Sequence, residues 1–229
     1  MKNKKKNQPK ITIIYEDNDI IVIDKPAGML SVSTDKEAKH TAFRMINDYV
    51  KSKFKLNRIW IVHRLDRDTS GVMLFAKSEG VKLKLQENWD ETATLRSYIA
   101  VVEGRVNAPE RKITSWLKQT KTLLVYSSHR KGDGKIAVTN YKLLQTTNKY
   151  SLLEITLETG RKNQIRVHMK DIGHPVAGDK KYGAGSDPLR RMALHANKLT
   201  IKHPATGEEL KFESPVPNCF KKVFKDSIS

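Results

Sequence analysis

Apolar positions along the chain fall into short runs, most of them too short for helices. Residues 11–15 and 20–23 are β-branched and aromatic runs that read as strands, separated by the polar turn Glu16-Asp17-Asn18-Asp19. Pro26 and Gly28 break the second run. Between Thr41 and Phe54 the pattern changes. Apolar residues stand at 42, 45, 46, 49, 50 and 54, which predicts a helix with Thr41 as its N-cap. Two more strand-like runs, 59–62 and 72–76, flank a polar segment. Over 78–89 the spacing fits either a strand (Val81, Leu83, Leu85) or a helix (Val81, Leu85, Trp89); Ser78 as N-cap and Glu79 in the first turn favour the helix. Residues 95–104 form a strand pattern ending at Gly104. Further strands are expected at 113–117, 123–127, 136–144, 152–157, 194–202 and 210–212. Gly132-Asp133-Gly134 signals a hairpin between the second and third of these. Ile165, Met169 and Ile172 repeat with helical spacing, and Gly173 and Pro175 stop that helix, so Arg166 falls in its first turn. A short closing helix is expected within 216–224.

Composition narrows the partners. The 229 residues carry 43 Lys and Arg against 25 Asp and Glu, a formal net charge of +18, with a pI near 9.9. Such a balance favours a polyanion, most often nucleic acid, with binding that weakens as salt rises. A ribosomal protein would have the same charge. An anionic membrane surface would suit it too, but no strongly amphipathic terminal helix accompanies it. No apolar run approaches a membrane span, and no signal-peptide core follows the basic N-terminus. Residues 1–10, with five lysines, predict a disordered basic arm ahead of one domain over 11–229. The single cysteine, Cys219, suits a reducing compartment, and a cytoplasmic monomer is the expectation.

The chemistry is less general. His40, His63, His129, His168, His174, His195 and His203 show no zinc-motif spacing, and the acidic residues offer no two-metal cluster beyond Asp66 and Asp68, so no metal is expected. The glycines near 134 and 183–185 do not complete a phosphate-binding loop or a dinucleotide fingerprint. The segment between the runs 59–62 and 72–76 holds His63, Arg64, Asp66, Arg67, Asp68, Thr69, Ser70 and Gly71. It is either a solvated turn with surface ion pairs or a loop that presents reactive groups from a rigid sheet.

These words resemble a family. His63-Arg64-Leu65-Asp66 followed by Thr69-Ser70-Gly71 is similar to the central motif of the RluA-type RNA pseudouridine synthases. Tyr15 to Gly28 resembles that family's first motif, Leu95 to Gly104 its tyrosine-bearing motif, and Glu158 to Asp179 its third, with Gln164-Ile165-Arg166, Gly173-His174-Pro175 and Gly178-Asp179. Leu194 to Phe212 is similar to the end of the catalytic domain. Many members begin with an S4 RNA-binding domain; ten residues before Ile11 leave no room for one, so the resemblance is to the short form. The family often has His where this chain has Asn163, a departure expected to touch only a flanking contact.

The resemblance implies an α+β fold with a mixed, largely antiparallel sheet flanked by helices and loops, and Asp66 in a cleft across its middle. It implies an enzyme that isomerises uridine to pseudouridine in ribosomal or transfer RNA, with no cofactor. Asp66 would be the nucleophile, oriented by a bidentate ion pair with Arg166, and Tyr98 would lie against the flipped uracil. Burial would raise the Asp66 pKa and the guanidinium would lower it. Arg64 would enter the space the base leaves, and His63, Arg67, Arg161, Lys162, Asn163 and Gln164 would contact RNA. Whether Asp66 attacks C1′, attacks C6 or assists elimination stays open. Without the resemblance, Tyr98 would read as core packing and Arg166 as a phosphate contact. A non-catalytic RNA-binding protein of the same fold and a metal nuclease are the rival classes.

Overall fold

The computed structural model describes residues 10–33 and 40–224; the basic arm, Lys10 apart, lies outside them. One sheet of eleven strands runs through the described chain. Its first half is built from β1 (Thr12–Glu16), β2 (Ile20–Lys25), β3 (Trp60–Ile61) and β4 (Ser70–Ala76). The second half comprises β5 (Leu95–Glu103), β6 (Glu110–Gln119), β7 (Val125–Ser128), β8 (Lys135–Thr146) and β9 (Tyr150–Leu157), with β10 (Leu194–Lys202) and β11 (Glu209–Glu213). The order is β1-β2-β4-β10-β5-β9-β8-β6-β7, with β3 on β4 and β11 on β10. Every pairing is antiparallel except β4 with β10. The sheet is therefore mixed and largely antiparallel, as the sequence leads one to expect.

Among the described residues five α-helices cover it: α1 (Ala42–Lys53), α2 (Glu79–Glu87), α3 (Trp89–Thr92), α4 (Gln164–Asp171) and α5 (Asn218–Lys222). Thr41 caps α1 and Ser78 caps α2, each side chain accepting a backbone N–H three residues on. The apolar stripe of α1 packs Ala42, Ile46 and Val50 against Ile21, Ile23, Met73 and Phe75. A separate cluster joins β5, β9, α4 and α5 around Ile155, Met169 and Phe220. None of these helices is long and apolar enough to cross a membrane.

Two features depart from the sequence pattern. The third strand is only Trp60–Ile61, so the polar segment that follows is a loop over 62–69. The expected hairpin at 132–134 does not form, because β6 lies between β7 and β8 and pairs with both. The turn instead crosses the end of β6. Asp133 accepts from Lys118 Nζ at 2.6 Å and Ser128 Oγ at 2.8 Å, and a side chain at Gly134 would press on the Leu117 carbonyl.

The sheet parts at its centre. β4 and β10 are partners only at Ser70–Gly71 and His195–Ala196. Beyond that short joint β3 takes the edge of β4, and β11 takes the edge of β10. Gly71 sits in the joint at φ +114°, where a Cβ would fall on the Ala196 carbonyl.

Candidate active site

The loop 62–69 enters the joint, and its backbone is pinned on both sides of Asp66. Ser31 Oγ donates to the Leu65 carbonyl at 2.6 Å and accepts the Leu65 N–H at 3.2 Å. The fully buried Lys25 donates its three protons to the carbonyls of Pro26, Met29 and Arg67 at 3.0, 2.8 and 3.1 Å. Burial lowers its pKa to about 8, against the pull of Asp68 and Asp66. Leu65 itself is buried in the core beside Met29. With its neighbours fixed, Asp66 has little freedom but that of its own side chain, which is 27% exposed to the cleft.

Arg166, in the first turn of α4, reaches that carboxylate. Nη1 donates to Asp66 Oδ2 at 3.0 Å. The bidentate pair, however, is with another residue: Nε and Nη2 donate to Asp179 Oδ2 and Oδ1 at 2.6 and 2.8 Å. This corrects the expectation of a bidentate Asp66–Arg166 pair. Asp179 is 3% exposed and holds the plane of the guanidinium, leaving one nitrogen for Asp66. Burial opposes the Arg166 charge, but Asp179 and then Asp66 more than offset it, and the pKa is raised. Tyr182 completes the clamp, its ring centroid 4.8 Å from Arg166 Cζ.

Asn163 does more than make a flanking contact. It adopts φ 55°, a left-handed conformation that Asn tolerates better than most residues, at the start of α4. There its Oδ1 accepts from Arg166 Nη1 at 3.3 Å and its Nδ2 donates to the Tyr182 hydroxyl at 2.9 Å. Gln164 is 2% exposed and is spent inside the protein. Its amide donates to Val138 O and Thr139 Oγ1, and its carbonyl accepts from Thr159 Oγ1 and Arg161 N. It orders the 159–163 loop and offers no group to RNA, contrary to the expectation for it.

Tyr98 lines the same recess as Asp66 and Arg166, about 60 Å³ in volume, with Leu157 and Ile165. Burial pushes its phenol up to about 12, so it is neutral at physiological pH. The recess opens into a cleft of about 750 Å³ bordered by His63, Arg64, Arg67, Arg161 and Lys162. Arg64 and Arg67 are exposed there, as is Lys162. His63 serves the sheet as well. Its Nε2 accepts the Leu74 N–H at 3.1 Å, a donor on β4 between the stretches paired with β10 and β3, and its ring stacks on Trp89 at 4.9 Å. Burial lowers its pKa to about 4, so it is a neutral wall of the cleft and no cation for phosphate. Among the described residues, the cluster of potential metal ligands is Asp17, Asp19 and His203, at the turn between β1 and β2, without Asp66 or Asp68.

A carboxylate on a fixed loop, a clamped arginine, a neutral tyrosine and a basic cleft are the arrangement. Comparison with known proteins agrees. Residues 19–171, which include Asp66, Tyr98 and Arg166, match the family model described as RNA pseudouridylate synthase.

The chain belongs to this family.

Its relatives include the RNA pseudouridine synthase YhcT of Bacillus subtilis, described as uncharacterized, which is 35% identical over 221 residues, covering 96% of this chain and 73% of the relative. The ribosomal large subunit pseudouridine synthase D of Pseudomonas aeruginosa is 35% identical over 227 residues, covering 92% and 69%. Members of the family are isomerases of RNA uridine, and the present chain is one by descent. Human RNA pseudouridylate synthase domain containing 4 has the same fold: TM-score 0.74 at 22% identity, over 91% of this chain and 90% of that one.

Proposed function

We propose that the protein isomerises specific uridines in ribosomal or transfer RNA, with Asp66 as nucleophile and no cofactor. The observation that carries this reading is the Asp66–Arg166 contact of 3.0 Å at the mouth of a small recess lined by Tyr98, inside a basic cleft. Binding RNA would not by itself call for a carboxylate held in such a cleft. The reaction breaks the bond from ribose C1′ to uracil N1 and makes one from C1′ to C5. C5 loses a proton and N1 gains one, so nothing is oxidised and no cofactor is required. The base must leave its stack to enter the recess. Arg64 reaches from the loop into the open cleft and fills the vacated space. Tyr98, being a neutral phenol, lies flat against the uracil and is a poor standing base for the C5 proton. Arg67, Arg161 and Lys162 track the backbone, and RNA shape selects the target. The protein acts as a monomer in the cytoplasm, where its relative of known name, synthase D, points to large-subunit ribosomal RNA as the first substrate to try.

The test is a pseudouridine map of ribosomal and transfer RNA from cells with and without the gene, followed by complementation. A modified site is expected to vanish, to return with wild type, and to stay absent with Asp66→Asn, while purified Asp66→Asn keeps wild-type RNA affinity or better. Conversion by Asp66→Asn would overturn the mechanism. RNA binding with no conversion by wild type on any transcript would overturn the enzyme in favour of a binding protein.

A further inference from the structure

Besides the arginines already described, the cleft wall holds a buried guanidinium that the proposed reaction does not use. Arg96 stands two residues before Tyr98 on β5, and positions i and i+2 of a strand share a face. It is 7% exposed. Nη2 donates to the Glu158 carbonyl at 2.7 Å. Nε and Nη1 have no hydrogen-bond partner, a condition that Ser214 Oγ alone shares among the buried side-chain atoms of the described residues. Nη1 does lie 2.8 Å from Asp90 Oδ1, but without hydrogen-bond geometry, so the contact is an ion pair and not a bond. Buried donors left unmet are costly, and at the wall of a binding cleft they mark a place for a ligand. Arg96 borders both the large cleft and a small recess beside Tyr98, His63 and Trp89.

The carboxylate over Arg96 is loosely held. Asp90 belongs to the four-residue α3, which has no side-chain cap bond and buries none of its residues. Its side chain is 56% exposed. Gly160 packs directly against the guanidinium, where a Cβ would come within 3.2 Å of Nη1.

We propose that Arg96 is a subsite for a backbone phosphate of the RNA strand beside the target uridine, and that Asp90 is a built-in stand-in for that phosphate, displaced when RNA enters. The inference rests on the reading that the cleft takes RNA. A planar guanidinium whose Nε and Nη1 make no hydrogen bond suits two phosphate oxygens once Asp90 has moved aside, and the arriving phosphate supplies the geometry that Asp90 lacks. Until it arrives, the Asp90 carboxylate neutralises the buried charge and makes weaker anions compete for it.

The experiment measures the affinity of wild type, Asp90→Asn, Arg96→Gln and the double variant for an unmodified transcript of bacterial large-subunit ribosomal RNA, across a range of salt. Glu91→Gln is the control, the same change in charge one residue along. Asp90→Asn is expected to bind about three- to tenfold tighter, and Glu91→Gln to change little. Arg96→Gln should bind more weakly, with a plot of log affinity against log salt shallower by roughly 0.7 to 0.9, one phosphate contact. In the Arg96→Gln background Asp90→Asn should have no effect. Unchanged or weaker binding by Asp90→Asn overturns the proposal, as does an Asp90 effect that survives loss of Arg96. A purely structural Arg96 would move the melting temperature and leave the salt slope alone. Should Arg96→Gln not fold, Arg96→Lys keeps the charge and loses the fork; it is expected to bind more weakly than wild type, and wild-type affinity in Arg96→Lys would overturn the proposal. Pseudouridine formed by wild type on the same transcript is scored separately. Its absence would count against large-subunit ribosomal RNA as the substrate, while the binding arms would still decide the role of Arg96.

Discussion

At the scale of single residues, the position of the Asp66 carboxylate depends on a residue that never touches it. Asp179 binds two of the three guanidinium nitrogens of Arg166 and leaves the third to aim at Asp66. Asp179→Asn keeps the shape and removes the charge, so the guanidinium can turn toward Asp66 and draw the carboxylate out of line. A misplacement of about 1 Å at a reacting group is worth roughly 100-fold in rate. We therefore expect kcat to fall about 10- to 100-fold with KM for RNA little changed, as single-turnover and steady-state kinetics on one transcript would show. A fall in affinity with kcat intact would mean that Arg166 serves binding and not orientation. Asp66, Tyr98 and Arg166 could be picked out of the sequence because each sits in a short motif. The role of Asp179 could not, since it is fixed by a fork geometry that joins α4 to a turn thirteen positions on. Gln164 misled for a related reason: a polar side chain next to a basic cluster looks like an RNA contact until its four bonds inside the protein are seen.

At the scale of elements, the cleft exists because two strands part. β4 and β10 share only the joint at Ser70–Gly71 and His195–Ala196, and the loop bearing Asp66 enters there. Gly71 allows that closeness, and its φ of +114° would strain any other residue. Gly71→Ala forces the strands apart at the root of the loop, so a stability loss of about 3 kcal/mol or more is expected. Denaturant unfolding of the variant, or its failure to accumulate as folded protein, is the measurement. A loss under about 1 kcal/mol would show that the joint can relax and is not the hinge of the fold. The strands themselves were legible from alternation and β-branched runs, and both N-caps from Thr41 and Ser78. Pairing order was not. Gly132-Asp133-Gly134 has hairpin composition, but turn chemistry reports only that the chain reverses or crosses, and here β6 had already taken the place between β7 and β8. Nor does periodicity say where a sheet divides, because the loss of one partner and the gain of another leave the alternation unchanged.

At the scale of the molecule, the net charge of +18 and the buried histidines act on stability in the same direction as pH falls, and they can be separated. His168 is fully buried, its Nδ1 2.8 Å from Thr139 Oγ1 and its Nε2 2.8 Å from Ser115 Oγ. Burial lowers its pKa to about 4, against the raising pull of Asp171, and His63 is likewise lowered to about 4. An unfolded histidine titrates near 6.5, so between about pH 6.5 and 4 the unfolded chain binds more protons than the native one. The stabilisation is whole above pH 6.5 and is lost as pH falls toward 4, by up to about 3 kcal/mol for the fully buried His168 and by less for His63, which borders the open cleft. Protonating carboxylates over part of the same range adds positive charge and self-repulsion to a protein already basic. Salt distinguishes the two causes. At about 1 M the screening length is only about 3 Å, so surface repulsion is largely removed while the cost of charging an interior imidazole stays. The acid-side loss of stability should therefore persist in about 1 M salt, and His168→Gln should make it shallower by close to one proton. If high salt instead abolishes the pH dependence in wild type, the buried histidines are not its source, and the acid limit of this protein is set by the charge that equips it to hold RNA.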